Sequence, residues 1–339
     1  MLAGNIVADT SEVTFLSSNG PAEHRSYRDE NAAPTKSVHR IVVVVGAGGE
    51  EEFESQFRTW ADRWIHAAAK HGVDAILIDG DVGSISSLER LQAELSQWAE
   101  SNNESVLWLV LIGHGTFDGT DAKFNLVGPD LSTNQLKEML APAEGKCVIL
   151  GCFSASAPFI NALSGGNRIV VSATKSGYEY NFSRFGDYLS RIVESVANGD
   201  LQYDLDKDEQ VSLLEMVTTA ARQTADFYAA DKRLATEQAL LDDNGDGLGT
   251  PLDWFRGVRP TRQAKTGVRT DGLRANQLFL FPNPVAKTWP ADLLARRNEL
   301  EERLEHLRSR KAIMSENDYY RELEEIALQL AELYRNFEQ

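Results

Sequence analysis

The sequence predicts an α/β fold, a mostly parallel sheet layered between helices, with a helical hairpin added at the C-terminal end. Three observations predict it. Short apolar runs recur as IVVVV at 41–45, AILID at 75–79, VLWLVLIG at 106–113, CVILG at 147–151 and RIVVSA at 168–173, each the length of a buried strand. Between several of them lie stretches with helical apolar spacing, and strand–helix alternation implies a parallel sheet covered on both faces. Beyond Pro290 the apolar positions settle into steps of three and four, the mark of helices that share a seam.

In chain order, residues 1–37 mix Ser, Asn, Pro, Glu and Ala without sustained periodicity. They read as a tail with one short strand at 13–16, alternatively a pro-segment covering a site. The main domain is expected over 38–255. Its first helix places Phe53, Phe57, Trp60, Trp64 and Ala68 on one face, and its second does so with Leu88, Leu91, Leu95 and Trp98. A third opens at Ser132-Thr133-Asn134-Gln135, a capping-box pattern, and another follows through Phe185, Leu189, Ile192 and Val196. GAGG at 46–49 is not a phosphate loop, because it lacks the G-x-G-x-x-G spacing and the Walker lysine, and Glu50, Glu51 and Glu52 would repel a phosphate. Residues 256–290, with the patch LFLFP, read as a linker docked on the core. The hairpin over 291–339 aligns Leu293, Leu300, Leu304 and Leu307 in one helix. A second, capped by Ser315 with Asp318, aligns Tyr319, Leu323, Ile326, Leu330, Leu333 and Phe337. Its seam packs on itself by default; the alternative is a homo-oligomer or a partner protein.

Composition narrows the function. A chain of 339 residues, 42% of them hydrophobic, can bury a full core, and its net charge of -17 disfavours nucleic acid and anionic membrane surfaces. No apolar run approaches the roughly 18 residues of a spanning helix. MLAGNIVADT has no basic and apolar leader, which points to the cytoplasm for the form given. Two cysteines five positions apart make a disulfide framework unexpected.

The chemistry concentrates where two strands end. One run closes on His114-Gly115 and another, KCVILGC, on Cys152. Ligand crevices in open α/β sheets lie outside the carboxyl ends of the strands, so adjacent parallel strands would bring an imidazole and a thiol to one edge. A thiol needs a neighbouring base to become a thiolate near neutral pH, and histidine suits that task. Cys147 lies within its apolar run and reads as a small core residue. Cys152 is expected beyond the strand end, before Ser154-Ala155-Ser156, and the glycines on either side of His114 leave room for a substrate.

An apolar block closed by His-Gly, then one closed by Cys, 38 positions from His114 to Cys152, resembles the caspase-like cysteine peptidases, nearest the bacterial legumain-like branch, family C13. The likeness continues through GAGGE at 46–50, VVSATKSGYEYN at 170–181 and LLDDNGDGLGTP at 240–251. It implies a caspase-like three-layer α/β/α sandwich, His114 as general base or proton donor, Cys152 as nucleophile, and the amides of Gly115 and Cys152 as oxyanion hole. Legumains carry an acidic residue two positions before the nucleophile, whereas this chain has Leu150 there, so asparaginyl specificity is not expected. The resemblance also places a specificity pocket near Glu50, Glu51, Glu52, Leu150, Lys175, Ser176 and Glu179, an acidic set suited to Arg or Lys on the acyl side of the scissile bond.

Two acidic stretches have calcium-loop spacing. Asp204, Asp206, Asp208, Gln210, Ser212 and Glu215 fill loop positions in the first, with Glu209 where glycine is wanted. Asp242, Asn244, Asp246, Leu248, Thr250 and Asp253 fill them in the second, with Gly247 in the glycine position. One or two calcium ions are therefore expected, and no organic cofactor. The reading is a cysteine endopeptidase acting on a peptide or protein substrate. The alternatives are a transpeptidase or ligase using the same dyad, or a non-catalytic calcium-dependent binding module on a peptidase-like fold.

Overall fold

The computed structural model describes residues 39–101, 105–262, 264, 269–283 and 289–338. The expectations for the tail, the strand at 13–16 and the pro-segment lie outside these residues, as does the side chain of Phe337.

Seven strands form the main sheet: β1 (His39–Val45), β2 (Asp74–Asp79), β3 (Val106–Gly113), β7 (Cys147–Phe153), β8 (Arg168–Ser172), β9 (Leu240–Asp242) and β10 (Thr250–Pro251), in the order β10-β9-β8-β7-β3-β1-β2. The five from β2 to β8 pair in parallel; β9 and β10 add an antiparallel edge. Between β3 and β7, β4 (Gly115–Phe117), β5 (Ala122–Phe124) and β6 (Leu131–Ser132) make a small antiparallel sheet.

Alternation along the strands sorts the core into two faces. Ile41, Val43, Trp108, Val110, Val148 and Leu150 point to the side of α1 (Glu51–Lys70), α5 (Phe185–Ala197) and α6 (Leu213–Ala230). Val42, Val44, Leu109, Leu111, Cys147 and Ile149 point to that of α2 (Ser87–Glu100), α3 (Thr133–Leu140) and α4 (Pro158–Leu163). Three helices start where the sequence supplies a capping box: Ser86 with Glu89, Ser132 with Gln135 and Ser212 with Glu215. α1 has no such cap; Glu51, Glu52 and Glu54 in its first turn complement its dipole instead.

The sequence reading contains no helix over Leu213–Ala230. Leu213, Leu214, Met216, Val217 and Ala220 are all buried in its first half, which therefore shows little of the contrast between faces by which an amphipathic helix is recognised. Downstream, Leu280 and Phe281 are buried against the α1/α5/α6 side, with Phe281 stacked on His71. Before them comes the short helix α7 (Leu273–Asn276). α8 (Ala291–Arg310) and α9 (Glu316–Glu338) pack on each other through Leu307, Tyr319 and Ile326, flanked by Leu304, Leu323 and Leu330. Among the described residues, no helix is long and apolar enough to cross a membrane.

Candidate active site

β3 and β7 are adjacent at the centre of the sheet, and Ile112 of β3 stands opposite Cys152 of β7. Partners in register point to the same face, and so do residues two apart on one strand. His114, two positions past Ile112, therefore emerges on the same face as Cys152, the α1/α5 side. Its ring contacts agree: the centroid lies 5.2 Å from Phe53 and 5.1 Å from Phe57 of α1, and 6.1 Å from Phe182. Cys147, an odd number of positions from Cys152, points to the opposite face, and both thiols are free.

The aromatic wall sets the state of the imidazole. Burial among the rings lowers the pKa of His114, and the hydrogen bond it donates to the Gly48 backbone acts the other way. A lowered pKa favours the neutral imidazole, the form that can accept a proton.

Cys152 is not beyond the strand end. It is the penultimate residue of β7, 1% exposed, with Gly186 of α5 and Trp60 of α1 packed beside it. A Cβ on Gly186 would lie 2.8 Å from that of Cys152. Burial first, and the charge of Glu237 second, push the thiol up to about 12, so it is protonated in this conformation. Cys147 is pushed up to about 12 by burial alone, with Arg168 opposing.

The glycines around His114 are required by the protein's own packing. On Gly115 a Cβ would meet the Ser154 carbonyl oxygen at 2.3 Å, and on Gly113 it would press on Phe124. The Gly115 amide, expected in the oxyanion hole, donates to Ser154 Oγ at 3.2 Å. Ala155 then turns the chain at φ 58°, a left-handed conformation that costs a residue with a side chain about 1 kcal/mol. Ser156 Oγ stitches this turn to the end of β8 by accepting from the Ala173 and Thr174 amides.

The expected pocket residues are scattered. Glu50, Glu51 and Glu52 are at the solvent-facing start of α1. Leu150 is fully buried in the core. Glu179 accepts from the Lys175 and Gln238 amides, Lys175 Nζ donates to Gln238 Oε1 at 2.7 Å, and the Ser176 hydroxyl accepts from the Tyr178 amide.

Of the two acidic loops, the first gathers carboxylate oxygens of Asp204, Asp206 and Asp208 within 4.8 Å of one another, a hard-oxygen set that fits calcium. Lys207 and Glu209 both adopt φ 66°, so the glutamate takes the left-handed turn where glycine was wanted. Gln210 offers its side chain to the Asn283 amide, and Glu215 is turned back to cap α6 and to accept from the Leu205 and Asp206 amides. In the second loop Gly245 and Gly247 repeat the two left-handed turns, and Asp242 accepts from both their amides. Asn244 and Asp246 accept within the loop, the exposed Leu248 amide donating to Asp246, while Asp253 pairs with Arg262. Among the described residues, the first loop alone gathers three carboxylates.

Sequence reasoning missed the residues that enclose the pair: Gly48, Phe182, Gly186 and Glu237. Phe53 and Phe57 were legible only as core positions. Glu237, 3% exposed, is an isolated acid without periodicity or motif, and its neighbours come from distant segments.

No family model and no curated protein matches the chain. Among solved structures it is similar to the Drosophila initiator caspase Dronc, at 13% identity and a TM-score of 0.41, over 72% of this chain and 94% of that one. It is also similar to caspase-1 from Spodoptera frugiperda, at 13% identity and a TM-score of 0.40, over 66% and 94%.

Proposed function

We propose that the chain is a cysteine endopeptidase whose reacting pair is His114 and Cys152. One observation carries this: an imidazole and a thiol on the same sheet face, two residues out of register, at the carboxyl ends of adjacent parallel strands. That is where an open α/β sheet places its ligands. The neutral imidazole of His114 takes the thiol proton, and the sulfur attacks a peptide carbonyl carbon. The carbon–nitrogen bond breaks as the imidazolium protonates the leaving amine; water then attacks the thioester, giving its proton to His114 and restoring the thiol. An amine in place of water would make the same intermediate a ligation product.

The buried, protonated thiol favours a resting form that must open before it reacts. Arg or Lys on the acyl side remains the preferred substrate, with the support of the chain's acidity alone. Calcium, if bound, belongs in the loop of Asp204, Asp206 and Asp208, where it would neutralise charge rather than take part in the chemistry. A fluorogenic panel bearing Arg, Lys, Asn, Asp and Leu at the acyl position tests the reading. Turnover of the Arg and Lys members that disappears in Cys152→Ala is expected, and a folded protein that cleaves no member contradicts it.

A further inference from the structure

Five consecutive residues bridge the pair. Phe182 stacks on Phe53 at 4.8 Å and faces His114, while Gly186, four positions on, lies against Cys152. The three residues between are fixed by one side chain from a distant segment. Glu237 Oε2 accepts from Ser183 Oγ at 2.6 Å and from the Phe185 amide at 3.3 Å; Oε1 accepts from the Arg184 amide at 2.8 Å and from the Tyr228 hydroxyl at 3.1 Å. α5 has no cap of its own, since Arg184 at its N-cap makes no side-chain cap bond. Its orphan amides thus depend on a carboxylate supplied from 52 positions further along the chain.

We propose that Glu237 is a positioning residue for the dyad: it clamps the 183–185 turn so that Phe182 is held against His114 and Gly186 closes over Cys152. The assignment rests on reading His114 and Cys152 as the reacting pair. Glu237 and Phe185 also line a cavity of about 140 Å3, with Ala173, Ala221, Thr224 and Asp253. Arg184, Tyr188, Tyr228 and Cys152 are titratable groups around the carboxylate, Asp253 shares the wall of the cavity, and the Arg184 guanidinium lies 4.1 Å above the Phe227 ring. Burial is the first cause of the raised Cys152 thiol and the Glu237 charge the second. Burial, which also raises the Glu237 carboxyl itself, is thus what chiefly keeps Cys152 protonated, and the Glu237 charge adds to it.

The test is the pH dependence of iodoacetamide alkylation in the full-length protein, with Cys152 and Cys147 quantified separately by peptide mapping. In Glu237→Gln an amide oxygen at the Oε2 position can still accept from the Ser183 hydroxyl and the Arg184 and Phe185 amides, and the NH2 can donate to the Tyr228 hydroxyl, but the charge is gone. The Cys152 midpoint should move to lower pH, its labelling at pH 8 rising about tenfold per pH step of one that the midpoint falls, with Cys147 unchanged. Ser183→Ala keeps the charge and loosens the turn, so labelling of Cys152 should accelerate selectively. A Cys152-selective change in neither variant, or equal acceleration at Cys147, overturns the assignment. Iodoacetamide needs no peptide, so a lowered Cys152 midpoint without peptide turnover removes the peptidase reading and leaves the clamp. Turnover with an unmoved midpoint does the reverse.

Discussion

Cys147 and Cys152 share a strand and a high pKa yet face opposite layers, and strand alternation explains why only one can meet His114. Parity was readable in the sequence, since an odd separation on one strand reverses the face. Depth was not: Cys152 was expected past the strand end, and the fold runs β7 one residue beyond it. The glycines beside His114 taught the same lesson, because a glycine needed by a passing carbonyl looks identical in sequence to one that admits a substrate. Cys152→Ala is expected to abolish peptide turnover, whereas Cys147→Ala keeps it and loses stability through a small cavity, by about 1–2 kcal/mol. Steady-state rates and urea midpoints measured side by side decide this. Equal loss of turnover in both folded variants contradicts the pairing.

At the scale of elements, legibility followed local signals. Ser132 with Gln135 announced α3, and the Leu and aromatic spacing announced α1, α2 and α5, because caps and amphipathic faces are written within a few residues. α6 escaped because its first half is buried on most sides, and its cap, Ser212 with Glu215, was read as calcium-loop positions. The first loop keeps three carboxylates together without Glu215. Millimolar calcium is expected to raise the melting temperature over that in chelator, a ligand at a hundredfold its Kd adding about 2.7 kcal/mol. An unchanged midpoint, with Asp206→Asn also without effect, rejects the site.

Over the whole molecule, the five parallel strands were legible from their apolar runs, while the antiparallel edge of β9 and β10 was hidden inside an acidic stretch. That edge is fastened by buried acids. Asp271 accepts from the Asp243 and Asn244 amides and from the Thr250 hydroxyl, and Asp243 caps α7 through the Gly272 and Ala275 amides. Burial first, and the Asp243 charge second, raise Asp271 above the ordinary carboxylate range, and Asp243 is raised with it. A carboxyl raised in the folded state contributes stability that is complete below its unfolded pKa and lost as pH rises through its folded pKa. The melting temperature should therefore fall between pH 5 and pH 8, and Asp271→Asn, whose NH2 can donate to the Thr250 hydroxyl, should flatten the decline. A slope identical in wild type and variant assigns the dependence elsewhere.

The central claim is that the whole arrangement delivers one thiol to one imidazole. Its most direct test is to trap the intermediate: incubate the protein with a peptidyl electrophile carrying Arg at the acyl position, then map the adduct by mass spectrometry in wild type and in His114→Ala. The account predicts an adduct on Cys152 Sγ in the wild type, formed at least tenfold more slowly without the imidazole. An adduct on Cys147, or labelling of Cys152 at the same rate in both proteins, would contradict it.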